Sequence, residues 1–597
     1  MPAKRTSPIW TLLKIIISIA SSIVVFFIIT YIEGLSNNQI KEFLDIFNLP
    51  KYGAPIAGAL ITFASIFFAL FILFPLINLI QNFFSALTGK YFVISLAALA
   101  ILGGAAALYI PSYTGWFKTD TQQSTSSTQP TQNGQGSGNQ QNQSSKDSSS
   151  DLRLHLLYIT GGIIAVLGLI ETNRKNSQDH IREVHAARRD RYIKAVDKLS
   201  SNDAPVRLGG VYALVGLVDE WLDDDNINRE TQNKEGQIII NNLCSYIRSP
   251  FSLAAKAKTL EADSEPNNYK GDFSKDQAAF HEEQDVRRAI FVEMSKRSST
   301  LTENKKGKVT ATPGRWSSFD FDFSRAPIFY SLRKLKIEKG AFSYAKFYGN
   351  ADFLKTVFVQ DTEFFRTTFI QNAQFTGATF IQDANFIWSN FAGSAKFDGV
   401  NFAQNAHFRG VTFTNATFTG TVFTQNANFN NTTFTQNAHF HRAIFDQDAN
   451  FHSATFNRKS RFSEATFAKN ANFHDTTFNH DVRFSRTTFT GLADFSKATF
   501  NQKSYVAKAT FAQKVNFDKA LFIKSAPTFV SGDLRARFSA CSSQEDYNFS
   551  VSSGSKPIHT RETKLDDVTR YIPIGTVLFD PSSPKDENGK YRESPPA

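Results

Sequence analysis

Residues 427–456 read ANFNNTTFTQNAHFHRAIFDQDANFHSATF, with phenylalanines at 429, 434, 440, 445, 451 and 456. The steps between them alternate five and six, so the unit is 11 residues long. The same ladder runs outward in both directions, from Phe342 to Phe522, through Phe386, Phe391, Phe397 and Phe402 on one side and Phe473 and Phe478 on the other. It slips phase once, where Phe408, Phe413, Phe418 and Phe423 are separated by three fives, and it lacks one rung, where Val506 stands beside Tyr505. Two residues before most rungs is a small or β-branched residue, as in Ala427-Asn428-Phe429 and Thr487-Thr488-Phe489.

Steps of five and six fit neither the 3.6-residue period of a helix nor the two-residue period of a flat strand. They fit a chain that turns a corner after each short segment and sends one large side chain inward per segment. The small residue two positions earlier leaves room for it. Stacked coils then place rung above rung at about 4.8 Å, each coil burying the face its neighbour exposes. Phenylalanines Phe386, Phe391, Phe397, Phe402, Phe429, Phe434, Phe440, Phe445, Phe451, Phe456, Phe473 and Phe478 are the structural ladder of this reading. Composition agrees, with 59 Phe against 2 Met and 5 Trp, because such heavy use of one residue signals a repeat.

These residues resemble the bacterial pentapeptide-repeat proteins, whose unit reads A-(D/N)-(L/F)-x-x, as in Ala384-Asn385-Phe386 and Ala471-Asn472-Phe473. The resemblance covers about 180 residues and implies a right-handed quadrilateral β-helix over 341–524. This chain departs from the simple unit by inserting a residue in every second repeat and by preferring Phe to Leu. Four sides then take about 22 residues, giving roughly eight coils and a rod near 40 Å long at strand spacing. The insertions are expected to bulge at two corners, and the phase slip to disturb the stack near Phe418. The stretch 191–221 also resembles the segment preceding the repeats in membrane-anchored members.

The N-terminal part predicts a membrane region, since about 20 apolar residues span a bilayer. Three helices are expected within 1–118, at about 15–32, 55–80 and 91–110. Residues 15–32 carry no charge and follow Trp10 and Lys14; Pro75 can kink the second segment; the third has the Ala/Gly texture of a packed helix. A fourth, 154–170, is short and carries His155, so an interfacial or buried helix stays open for it. The Gln/Ser/Thr-rich stretch 119–153 predicts a disordered extracytoplasmic loop. Positive charges around the first and after the fourth segment place both termini in the cytoplasm of a multi-pass cell-membrane protein.

Residues 171–300 predict a cytoplasmic helical connector. Its first helix carries Arg174, Lys175, Arg182, Arg188, Arg189 and Arg191, which either contact lipid headgroups, at about 1 kcal/mol per basic residue, or form a solvated face obeying the positive-inside rule. Gly209-Gly210 is not followed by the GK[ST] of a phosphate loop, so close helix packing explains it. Residues 301–340 are read as linker and N-terminal cap, and 525–597 as a cap followed by a disordered tail. The fold class is therefore multi-domain: an N-terminal α-helical transmembrane region, an α-helical connector and a C-terminal pentapeptide-repeat solenoid.

Chemistry is sparse. Cys244 and Cys541 have no CxxC or Cys/His spacing, which argues against a disulfide framework or structural zinc and reads as two thiols in a reducing compartment. Of 11 histidines, His407, His439, His441, His452, His474 and His480 lie in the repeat. His452 and His474, one coil apart, would stack, but both follow a rung and should point outward, with no further ligand recurring. No nucleophile, acid–base pair or phosphate loop has meaningful spacing, so no catalytic, cofactor or metal residue and no small-molecule substrate is assigned. Gyrase-inhibiting members of the resembled family are acidic rods that imitate duplex DNA. Residues 341–523 hold 17 Lys/Arg against 12 Asp/Glu, and a basic rod cannot imitate a polyanion. These basic residues form no evident stripe in the sequence. The expected function is a membrane-tethered cytoplasmic scaffold for an unidentified protein partner, not an enzyme; the alternative is a membrane sensor or transport accessory that relays a signal from the extracytoplasmic loop to the rod.

Overall fold

A computed structural model describes residues 92–113, 144–303, 309–587 and 589–597. The segments expected at 15–32 and 55–80 lie outside them. The chain forms two compact units, Met1–Glu183 and Val184–Ala597.

In the first unit, helix α1 spans Phe92–Tyr113 and helix α2 begins at Ser144. By length and composition, α1 is the one helix among the described residues that could cross a membrane. The expected span 154–170 lies inside α2, which runs unbroken through Ser144–Leu199. That corrects the boundary of the predicted loop, because residues 144–153 are helical. Gly103 of α1 leaves no room for a Cβ against Thr160 of α2, so the two backbones approach closely there. The apolar side chains Leu157, Tyr158, Ile163, Val166 and Leu169 of α2 are all exposed.

The second unit opens with the end of α2, followed by α3 (Ala204–Leu222), α4 (Arg229–Arg248) and α5 (Phe273–Arg297). Each start is legible chemically. Asp203 is extended ahead of a proline in the first turn of α3, Asn228 accepts a hydrogen bond from Thr231 N (2.8 Å), and Asp272 accepts one from Lys275 N (3.0 Å). A Cβ on Gly210 would lie 2.8 Å from Ala195 O, so close packing of α2 and α3 is what this glycine serves.

The connector and the start of the rod form one core, so the described residues from 309 to 340 belong to the expected N-terminal cap and first coil and not to a linker. Phe291 of α5 packs on Phe323 (4.5 Å between ring centroids) and faces Phe342, the first rung. Gln284 and Arg288 donate to the carbonyls of Phe329 and Ser331, and Lys336 N donates to Ser295. Residues 300–303 and 309–312 form a hairpin, and the first coil strand is already present at Pro327–Ile328. Helix α5 is thus the lid that covers the apolar end of the solenoid, as terminal repeats require.

The rod is a β-solenoid of about 9 turns. Its four faces are parallel ladders of mostly two-residue strands, in register 22 residues apart, as in Thr455↔Thr477, Ser460↔Val482, Thr466↔Thr488 and Ala449↔Ala471. These pairs represent faces one to four in the order the chain visits two, three and four after one. The rungs make four inner columns with successive rings 4.3–5.3 Å apart over the regular coils, for example Phe418–Phe440–Phe462 at 4.8 Å each. Neighbouring columns meet edge to face, as at Phe429–Phe440 (5.4 Å, 90°). The small residues two positions earlier are buried beside them: Ala427, Ala449 and Ala471 on face four, Thr432 on face one and Thr487 on face three.

The six-residue steps fall at two corners, between faces one and two and between three and four. The five-residue steps turn at the other two through a left-handed residue, such as Asn431, Arg442, Ser453, Glu464, Asp475 and Arg486. The phase slip does not disturb the stack. Phe397, Phe418 and Phe440 remain 4.8 Å apart and within 4° of parallel. The shorter coil loses its residue at one corner: Phe391 and Ser394 pair with Phe413 and Asn415, and the strands Asn390–Lys396 and Thr412–Thr417 run straight through that corner. Val506 fills the missing rung, buried, its amide bonded to Thr528 O.

Residues 525–597 are not a disordered tail. Phe538 stacks on Phe511 (5.0 Å), Tyr547 pairs with Val515, and Val577–Phe579 adds a strand beyond Arg537–Ser539. Thr560–Leu565 and Val568–Pro573 form a hairpin over this end. The expected cap is therefore longer than its polar composition suggested, taking in the part read as a disordered tail, because its apolar residues are few and widely spaced.

Candidate interaction surface

Because every rung faces inward, the sides of the rod can meet another molecule only through their outward columns. Those columns differ sharply between faces two and four, which occupy equivalent positions in the repeat. On face four the outward residues in register are Glu363, Asn385, His407, Asn428, Asn450, Asn472, Asp494 and Asn516, and each Asn or Asp among them accepts a hydrogen bond from the amide two residues on (Asn450 Oδ1 from His452 N, 2.9 Å; Asp494 Oδ1 from Ser496 N, 3.0 Å). This Asx turn holds the chain into the left-handed corner, so the Asn column is structural.

On face two the same position is filled by Lys396, Thr417, His439, Arg461, Arg483 and Tyr505, in direct register. None of these makes the turn bond, although Asp352 at the start of the face still does. The flanking columns add Arg458, Lys459 and Lys503 on one side and Arg442, Arg486 and Lys508 on the other. Eight basic residues, Arg442 to Lys508, therefore share this half of the face with two carboxylates, Glu464 and Asp481. Glu464 is held between Arg442 (2.9 Å) and Arg486 (3.4 Å). Arg458, Lys459, Arg461, Arg483, Lys503 and Lys508 have no carboxylate within 4 Å among the described residues. Arg461 and Arg483 lie on adjacent strands, where like charges directly opposite one another destabilise a sheet. Arg483 stacks over the Tyr505 ring (5.4 Å). Partial burial, with the Arg461 guanidinium beside it, holds the His439 imidazole below its ordinary pKa. The stripe absent from the linear sequence is created by the 22-residue coil, which brings distant basic residues to one face.

The other predicted positions divide. His452 and His474 do stack (5.3 Å, 17°), but His474 Nδ1 bonds Ser496 Oγ, and no group of three or more metal-ligating side chains occurs among the described residues. Of the residues assigned to lipid headgroups, Arg188 is buried, pairing with Asp224 (2.5 Å) and lying over Trp221 (4.6 Å). Burial raises the Asp224 carboxyl, but the Arg188 and Asn226 hydrogen bonds and the Arg188 charge together outweigh it and the net pKa is lowered. Arg191 grips Glu220 through both terminal nitrogens (2.7 and 2.6 Å). Both therefore join α2 to α3, and Arg188 is not available to lipid. Arg174 pairs with Glu171 and Arg182 with Asp179, while Lys175 and Arg189 are exposed. The helical period that places Arg188 and Arg191 on the packed side is visible in the sequence only once α3 is known to lie there. Cys244 is buried, its thiol pushed up to about 12, and is inert; Cys541 is exposed.

Five stretches, residues 342–387, 397–444, 410–455, 440–488 and 484–527, the last four overlapping in series, match the family described as Pentapeptide repeats (9 copies). The C-terminal rod is thus a pentapeptide-repeat β-solenoid, a fold that is typically non-enzymatic and often mediates protein interactions. No curated protein and no solved structure matches the chain significantly.

Proposed function

We propose that this chain is a multi-pass membrane protein whose solenoid is a cytoplasmic docking rod for an acidic protein partner. The observation that carries the reading is face two, where the repeat gives up its corner-holding Asn for arginines in repelling register. Packing gains nothing from that exchange, since Thr, Gln and Lys serve the same position in earlier coils. A local cost without a structural return marks a functional surface. An acidic protein surface fits better than a phosphate polymer, because Glu464 and Asp481 interrupt the basic field and would repel a charge repeated at every unit. The membrane part rests on α1, on the exposed apolar side of α2, and on the apolar runs at 15–32 and 55–80.

Topology is tested with Cys541→Ser as background, Cys244 being buried. An impermeant maleimide applied to intact cells should label Ser126→Cys and leave Thr417→Cys unlabelled. Labelling of Thr417→Cys without permeabilisation would overturn the cytoplasmic placement of the rod.

A further inference from the structure

A groove of about 730 Å³ lies where the end of α4 and the loop after it meet the first two coils, lined by Arg248, Phe251, Arg325, Tyr344, Lys346 and Tyr348 among others. We infer that it binds a small phosphorylated compound carrying a planar ring, of which a nucleotide is the simplest member. Three cations from three separate segments converge on it. Arg248 is held in place by Asp322 (2.6 Å to the carboxylate, 2.7 Å to the carbonyl). Arg325 and Lys346 are exposed and have no carboxylate within 4 Å among the described residues. Their backbones are fixed by the coil: Arg325 N donates to Ser343 O, and Lys346 pairs in register with Pro327.

The aromatic walls are equally fixed. Phe251 stacks on Phe329 (5.1 Å, 19°). Tyr344 stands edge-on to Phe365 (5.7 Å, 81°) with 45% of its surface exposed toward solvent. Arg325 and Lys346, unneutralised on fixed backbones beside the Asp322-paired Arg248, suit phosphate, and the exposed Tyr344 ring suits a planar ring. The volume falls within the usual range for small-molecule sites, and junctions between structural units are where such sites concentrate. The charge is also confined: the next outward residues along the same face are Thr368, Asn390 and Thr412. An extended acidic partner would need the cations to continue, whereas a small ligand needs them where they are.

The site is independent of the docking face, which begins coils away. Full-length protein in detergent micelles is titrated with N-methylanthraniloyl-ATP, and bound probe is displaced with ATP or with inorganic triphosphate. Saturable binding is expected, with ATP displacing the probe at least tenfold more effectively than triphosphate. Arg325→Glu/Lys346→Glu should weaken probe binding at least tenfold, and Tyr344→Ala several-fold, with unchanged thermal melting by circular dichroism. Arg461→Glu/Arg483→Glu should leave it unaltered. Absence of saturable binding, an unaffected Arg325→Glu/Lys346→Glu variant, or triphosphate competing as well as ATP would each overturn the inference.

Discussion

A phenylalanine of this ladder is held by rings above and below it and by the edges of rings in the adjoining columns. Phe440 is fully buried, stacked at 4.8 Å on both Phe418 and Phe462, with edge contacts to Phe429 and Phe451. Truncation leaves a cavity that neighbouring coils cannot close without losing their strand register. Phe440→Ala should therefore cost about 3–5 kcal/mol in urea unfolding, and a loss below about 1 kcal/mol would show that the column repacks. Glu338 is the residue most exposed to acid. Burial raises its carboxyl, but hydrogen bonds from Ser298 Oγ, Ser299 N (2.7 Å) and Ser299 Oγ (2.7 Å) outweigh that and lower the net pKa. A depressed carboxyl contributes stability above its unfolded pKa of about 4.3 and loses it as pH falls through the folded value. Wild type should thus lose more stability between about pH 5 and pH 3 than Glu338→Gln does; equal losses in the two proteins would remove Glu338 from the account.

At the scale of the element, the coil tolerates a change of length at one corner because strand register is set by the rungs on either side. Gly393 shows how tight that corner is, since a Cβ there would lie 2.5 Å from the Gln371 backbone. The coil below omits a residue at the same corner and keeps its stack. Inserting one Gly after Thr414, which restores the 22-residue coil, should shift the thermal midpoint by no more than about 2–4 °C, a change of about 1 kcal/mol or less. A collapse of the cooperative transition would mean that the slip is required rather than tolerated. Much of this element was legible in advance. The inward Phe, Ala and Thr and the missing rung at Val506 are legible from the spacing, which needs a corner after each short segment, while the four sides and the two insertion corners are implied by the resemblance to pentapeptide repeats. The cap after the last rungs was expected, but its reach through 560–597 was not, because Phe538, Tyr547 and Leu578 are too far apart to show periodicity and gain their meaning only when laid on the last rungs. Arg188 was misread for a related reason: a basic residue on an amphipathic helix looks solvated until its partners, Asp224 and Trp221, are brought against it from 33 or more residues away.

At the scale of the molecule, the second unit is a sealed rod. Helix α5 covers one end through Phe291, and the Thr560–Pro573 hairpin lies over the other, so neither end offers a free ladder to another chain. What remains available is the sides, and of these face two carries a basic field over successive coils, eight Lys and Arg against the two carboxylates Glu464 and Asp481. The central claim is that this field receives an acidic partner. It is tested most directly by titrating full-length protein, in detergent micelles at two salt concentrations, with a fluorescein-labelled oligoglutamate peptide and following anisotropy. Binding should be saturable, weaken steeply with salt, fall at least tenfold in Arg461→Glu/Arg483→Glu, and persist in Lys497→Glu at a corner of face four. Equal binding by wild type and the Arg461→Glu/Arg483→Glu protein would contradict the claim.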